Sequence, residues 1–198
     1  SSGKILSDRS GGEEIKAWPL KYSTMFHMTN DSGLFRTRRE LEEQEGGWHK
    51  GGNRYGSLKG DWVPLYEGKM IQAFDHRAAS VVVNPENQHR PAQPEPATFE
   101  QHCDPSWLPA PQFWVLEEKC KWSAGPGWVL GFKEITAPTN VRTFIAALLP
   151  TVAFGNKVPL LLREGETSDE WLLAANLNSI PFDYVTRQKV QGQTLNLF

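Results

Sequence analysis

Short apolar runs broken by glycine, proline and asparagine dominate this chain, and few are long enough for an amphipathic helix. "KYSTMFHMTND" alternates apolar and polar positions and ends at Asn30-Asp31-Ser32-Gly33, which reads as a strand entering a turn. "WVPLYEGKMIQAFDH" places Val63, Leu65 and Glu67 on one face if extended, before Met70 and Ile71 thicken the apolar pattern. "QFWVLEEKC", "GWVLGFKEIT", "RTFIAALLP" and "KVPLLLR" are read most simply as strands of one sheet. "GGWHKGGNRYGSLKG" suits a hairpin or a mobile loop between strands.

Helical signals are fewer. In "TRRELEEQEGG", Thr37 and Glu40 form a capping box, Arg38–Glu42 and Arg39–Glu43 are i,i+4 pairs, and Gly46 is the stop. "TSDEWLLAANLNS" is a second helix, with Ser168 as cap and Asp169 and Glu170 in its first turn. Ser179-Ile180-Pro181 interrupts it, and "FDYVTRQKV" continues as another helical piece. Seven of the 14 prolines fall between Asn84 and Pro111, which predicts a long surface connection. The expected architecture is mixed α/β, with more strand than helix. Residues 1–20 form a flexible lead. A sheet-rich domain spans 21–165, with its proline-rich loop at 84–111, and 166–198 is a C-terminal helical segment of the same domain. The opening "SSGKILSDRSGGEE" and the missing initiator Met suggest a piece of a larger protein.

Charge narrows the candidate partners. The net charge of −2 is unlike that of a general polyanion binder, but the acids and bases are unevenly spread. Gly46 to Gly60 has no acid and contains Lys50, Arg54 and Lys59, and from Trp171 onward Asp183 stands alone against Arg187 and Lys189. Such islands fit a focused anion-binding face. No apolar run reaches the length of a membrane span, and no secretory signal is visible, so a cytoplasmic protein is expected. Cys103 and Cys120 do not make a disulfide framework, and with His102 they fall short of a four-ligand metal site.

Motifs bear on several chemistries. Glu67-Gly68-Lys69 is the Glu-x-Lys tail of metal-dependent nucleases, and Asp61 is the nearest candidate for the missing acid. Asp61 lies on the same continuous segment rather than on a paired strand, which makes a nuclease the weaker alternative. There is no phosphate-binding glycine loop, no Asn/Asp-Pro-Pro-aromatic tetrapeptide and no nucleophile elbow, so no catalytic residues are assigned. The basic residues Arg54, Lys69, His76, Arg77, Arg142, Arg187 and Lys189 remain as phosphate or base contacts. Trp48 and Trp62 could stack on bases or anchor their loop.

"MFHMTNDSGLFRTRRELE", "VPLYEGKMIQAFDHRAAS", "GWVLGFKEITAPTNVRTFIAALLPTVAFGNKVPLLL" and "LNSIPFDYVTRQKVQGQTLNLF" resemble, in this order, the C-terminal part of large adenine-specific DNA methyltransferases. These are the fused restriction–modification (type IIG-like) enzymes and their phage-defence relatives. The end is also similar to the recognition domains of type I restriction specificity subunits. The resemblance covers about Tyr22 to Phe198 outside the proline-rich middle. It implies a target recognition fragment that binds duplex DNA and lacks the catalytic motifs. S-adenosylmethionine would be bound by an upstream methyltransferase domain of the parent protein, and no cofactor is expected in this fragment. A docking module of the same defence complex is the alternative. The family motifs mark Glu67, Lys69, Asp75, His76, Arg77, Asn140, Arg142, Asn178, Ser179, Arg187 and Lys189. On this basis Lys50, Arg54, Lys59, Lys69, His76, Arg77, Arg142, Arg187 and Lys189 are expected to contact DNA, with Glu67 and Asp75 orienting the cations. Asn178 and Ser179 end a helix and pack. Base readers are expected in 48–59 and in the proline-rich stretch.

Overall fold

The computed structural model describes residues 7–10, 13–16, 18, 20–120, 122, 127–163, 170–190 and 192–195. It is a sheet-rich α+β fold. Strands β1 (Ser7–Ser10) and β2 (Glu13–Lys16) pair as an antiparallel hairpin. Two larger sheets follow. The first contains β4 (Trp48–Gly51), β5 (Arg54–Ser57), β6 (Gly60–Tyr66), β9 (Trp114–Leu116) and β12 (Ala153–Phe154). The second runs in the order β11 (Ala146–Pro150), β10 (Trp128–Phe132), β13 (Leu160–Arg163) and β3 (Leu20–Ser23), antiparallel throughout.

Residue alternation explains the layers. On β10, Val129 enters the core between the sheets, while Leu130 and Phe132 point to the opposite face. On β11, Ala147 and Leu149 face one way and Ala146 the other. The inter-sheet core also takes Val63, Leu65, Tyr66, Phe154, Val158 and Leu160. Helix α3 (Glu170–Leu177) covers the outer face of the second sheet through Leu173, Ala174 and Leu177. Helix α1 (Arg38–Glu43) covers the first sheet, where Leu41 meets Tyr55, Trp62 and Trp114. A strand buried on both faces loses the polar alternation of a surface strand. That is why "VLGF" and "AALLP" read as unbroken apolar runs.

The four late apolar runs do not share one sheet. β9 pairs with β6 in the first sheet, and only the other three lie in the second. Strand periodicity is the same in either sheet, so local pattern cannot assign partners. The glycine-rich stretch is a hairpin, β4 on β5, followed by a second turn into β6. Around α1 the capping box forms as expected. Arg38 Nε donates to Glu42 Oε1 at 2.8 Å, but Arg39 turns away and donates to the Pro85 carbonyl. Gly46 adopts φ +59°, the left-handed backbone of a helix stop. The proline-rich stretch is more ordered than a bare loop. β8 (Gln93–Pro96) pairs with β7 (Ala79–Val82) in a two-stranded ribbon, and α2 (Phe99–Cys103) is a short helix capped by Thr98. Its prolines sit where an edge strand tolerates a missing N–H.

Ser168 and Asp169, expected to cap and open the second helix, lie outside the described residues. Ser179 begins a helix as well as ending one: its Oγ accepts from Phe182 N at the start of α4 (Ile180–Lys189), with Pro181 in the first turn. Asn178 is buried and bonds Ala146 through both its amide oxygen and nitrogen, locking α3 to β11. Among the described residues no helix is long and apolar enough to cross a membrane.

Candidate anion-binding cleft

Most of the expected DNA contacts are held by the protein's own groups. Lys50 Nζ donates to both Asp61 oxygens at 2.8 Å, and Arg54 Nη1 to Glu117 Oε1 at 2.8 Å. Lys59 Nζ lies 2.6 Å from Glu45 Oε2. The Arg77 guanidinium donates to the carbonyls of Asp104, Trp107 and His102, so it pins the proline-rich loop. Arg142 donates to the Asn178 carbonyl, and Arg187 to the carbonyls of Asn140 and Val141. Both also approach Asp183, a buried carboxylate that accepts from the Thr143 and Phe144 amides at 2.7 and 2.8 Å. Burial alone would raise the Asp183 pKa. Those two amides, with Arg187 and Arg142, hold it below the usual range instead. His76 is half-buried, and burial pushes its pKa down, so it is a poor cation at neutral pH. Lys189 is exposed and has no partner among the described residues.

The two orienting acids divide. Glu67 Oε2 lies 3.0 Å from Lys69 Nζ, as expected. Asp75 accepts from the backbone N–H of Arg77 and pairs with His102 Nε2 at 3.0 Å, so it orders a turn rather than a guanidinium. Trp62 is buried and donates to Ser57 Oγ, while Trp48 is 54% exposed and lies flat over Gly56. Asp61 is the second residue of β6 and Glu67 follows its end, about 20 Å apart in extended chain, so they do not converge on one cation. Among the described residues no cluster of three His, Cys, Asp or Glu side chains could hold a metal ion.

One constellation does gather lysines. β12 runs parallel to the end of β6, pairing Ala153 with Leu65 and Phe154 with Tyr66. Phe26 forms a third parallel bridge at Gly155. This register aligns "YEGK" (66–69) with "FGNK" (154–157), so Lys69 and Lys157 leave neighbouring strand ends together. Gly155 leaves room for the Met28 side chain at the cleft, since a Cβ there would stand 2.9 Å from Met28 Sδ. Lys133 arrives from the end of β10, fixed by its N–H to the Ile145 carbonyl at 2.9 Å and by Glu134 N–H to the Lys157 carbonyl.

The result is a cleft of about 340 Å³ lined by Met28, Glu67, Lys69, Lys133, Ile135 and Lys157, with Gly68 and Gly155 in its wall. Lys69 Nζ donates to the Ala92 carbonyl at 2.9 Å, and Lys157 Nζ lies 2.9 Å from Glu134 Oε2. The Lys133 ammonium has no hydrogen-bond or ion-pair partner among the described residues, and burial lowers its pKa. The buried Glu67 Oε1 accepts no hydrogen bond either. A half-buried, unpartnered ammonium is unfavourable until an anion arrives. Lys133 and Lys157 were not singled out in the sequence. The visible signal was the aromatic-x-x-Lys spacing shared by Tyr66–Lys69 and Phe154–Lys157.

No protein-family model matches this chain, and no curated protein matches it either.

Proposed function

We propose that this chain is the target recognition part of an adenine-specific DNA methyltransferase of a restriction–modification or phage-defence system, a cytoplasmic protein that binds duplex DNA. The observation that carries the reading is the cleft in which Lys69, Lys133 and Lys157 converge, with Lys133 unpartnered. Two of its walls come from segments inside the motifs that resemble those enzymes, "VPLYEGKMIQAFDHRAAS" and "AFGNKVPLLL". A phosphate oxygen meets the unspent ammonium donors of Lys133 and Lys157 and relieves the desolvated charge. Phosphate contacts of this kind fix register on a duplex without reading sequence. Methyl transfer with S-adenosylmethionine belongs to the upstream catalytic domain of the parent protein, which grips the same DNA.

Duplex binding measured by fluorescence anisotropy across a potassium chloride series tests this. Affinity should fall steeply as salt rises, and Lys133→Gln should weaken binding and reduce the log–log slope by about one. Salt-insensitive binding, or none, would remove the DNA reading. A protein-docking module is the second reading, favoured by Trp171, Leu172, Ile180 and Tyr184, all exposed on α3 and α4.

A further inference from the structure

Phe74 combines two local features that rarely coincide. Its backbone has φ +63°, and its side chain is 63% exposed. It is the third residue of a tight turn closed by Gln72 N–H to the Asp75 carbonyl and Asp75 N–H to the Gln72 carbonyl, at 2.8 and 2.9 Å. Glycine or asparagine suits that backbone, and a bulky side chain there is a steric outlier. An apolar ring in water gains nothing from folding that would offset the strain. Strain of this sort persists only where the surroundings over-determine it.

The surroundings do so here. Phe74 N–H donates to the carbonyl of buried Ala146 at 2.9 Å, and the Asn178 amide donates to that same carbonyl. Asp75 is clamped by Arg77 N–H on one oxygen and His102 Nε2 on the other. The turn therefore fixes the backbone that carries the ring, so little backbone freedom is left to lose on binding. It also lies close to the lysine cleft: Phe74 is five positions from Lys69, at most about 17 Å of chain. With bases stacked about every 3.4 Å, a duplex whose phosphate rests in the cleft brings several base steps within that reach.

We infer that Phe74 is a base-stacking wedge, which enters the stack of a duplex whose backbone is held at the Lys69–Lys133–Lys157 cleft. This rests on the DNA-binding reading above, and an apolar side chain inserted between bases beside a backbone contact is a recurrent way to unstack a base step. The test compares wild type, Phe74→Gly, Phe74→Leu and Phe74→Tyr for melting temperature, duplex affinity, and change in plasmid linking number after topoisomerase relaxation. Phe74→Gly should melt at the same or a higher temperature because the turn is relieved. It should nevertheless bind duplex about tenfold more weakly and lose the unwinding that wild type produces. Phe74→Tyr should keep both properties, and Phe74→Leu should keep folding while losing most unwinding. Salt-dependent binding and unwinding left intact in Phe74→Gly and Phe74→Leu would overturn the wedge and spare the DNA reading. Absence of any duplex binding by wild type would overturn both.

Discussion

At the scale of single residues, buried charge separates what holds the fold from what is free to act. Asp183 joins β11's approach, α4 and two arginines through one carboxylate. Its pKa is lowered in the folded state, so its stabilisation is fully present above the ordinary aspartate value of about 4. That contribution is lost as pH falls through the folded value. Asp183→Asn should therefore cost about 3 kcal/mol at neutral pH, and the deficit against wild type should shrink in acid. Urea melts at pH 7 and pH 3 check this, and an equal deficit at both would refute it. The two thiols divide in the same manner. Burial, with Glu117 nearby, pushes the Cys120 pKa up to about 12, whereas Cys103 is exposed. A thiol reagent at pH 8 should label Cys103 rapidly and reach Cys120 only on denaturation, which mass spectrometry of the peptides would reveal.

At the scale of elements, Arg77 shows how a family-marked cation can serve structure. Its guanidinium forks to carbonyls at 102, 104 and 107, and this holds α2 and the following turn against the segment after Met70. A lysine keeps the charge but cannot reproduce that planar fork. Arg77→Lys should leave global stability within about 2 kcal/mol of wild type. Limited proteolysis should cut the loop after Thr98 markedly faster, and an unchanged rate would show the loop is held by other means. Such elements were partly legible. The Thr37–Glu40 box and the glycine-rich hairpin, which turns at Gly52–Asn53, are local signals, and each formed, whereas Ser179 reads from sequence only as a helix end and also starts α4. Sheet membership was not legible, because β9 and β13 share one apolar signature and differ only in long-range partners. The cleft was half legible. "EGK" stood out, but Lys157 joins it only through the parallel pairing of β12 with β6, and Lys133 through a third strand end.

For the whole molecule, the question is how a chain of net charge −2 can present enough positive field to grip a polyanion. Spreading cations around the sequence does not achieve it here, since the basic groups of the β4–β5 hairpin and of α4 mostly close on nearby carboxylates or carbonyls. Opposite charges so close cancel beyond about a Debye length of 8–10 Å, leaving little long-range attraction. What survives is concentrated where two parallel strand ends and β10 deliver three lysines against two carboxylates, Glu67 beside Lys69 and Glu134 beside Lys157, which leaves Lys133 uncompensated. The two distributions predict different numbers. If every cation expected from the sequence touched a phosphate, the log–log salt slope for duplex binding would be about −7. If only the cleft lysines do, it should be about −3. A measured slope near −3 that drops to about −2 in Lys133→Gln, and stays put in Lys50→Gln, would assign the binding field to the cleft. A slope near −7 that Lys50→Gln also reduces would mean that the internal ion pairs open on binding, with the hairpin rather than the strand ends meeting the duplex.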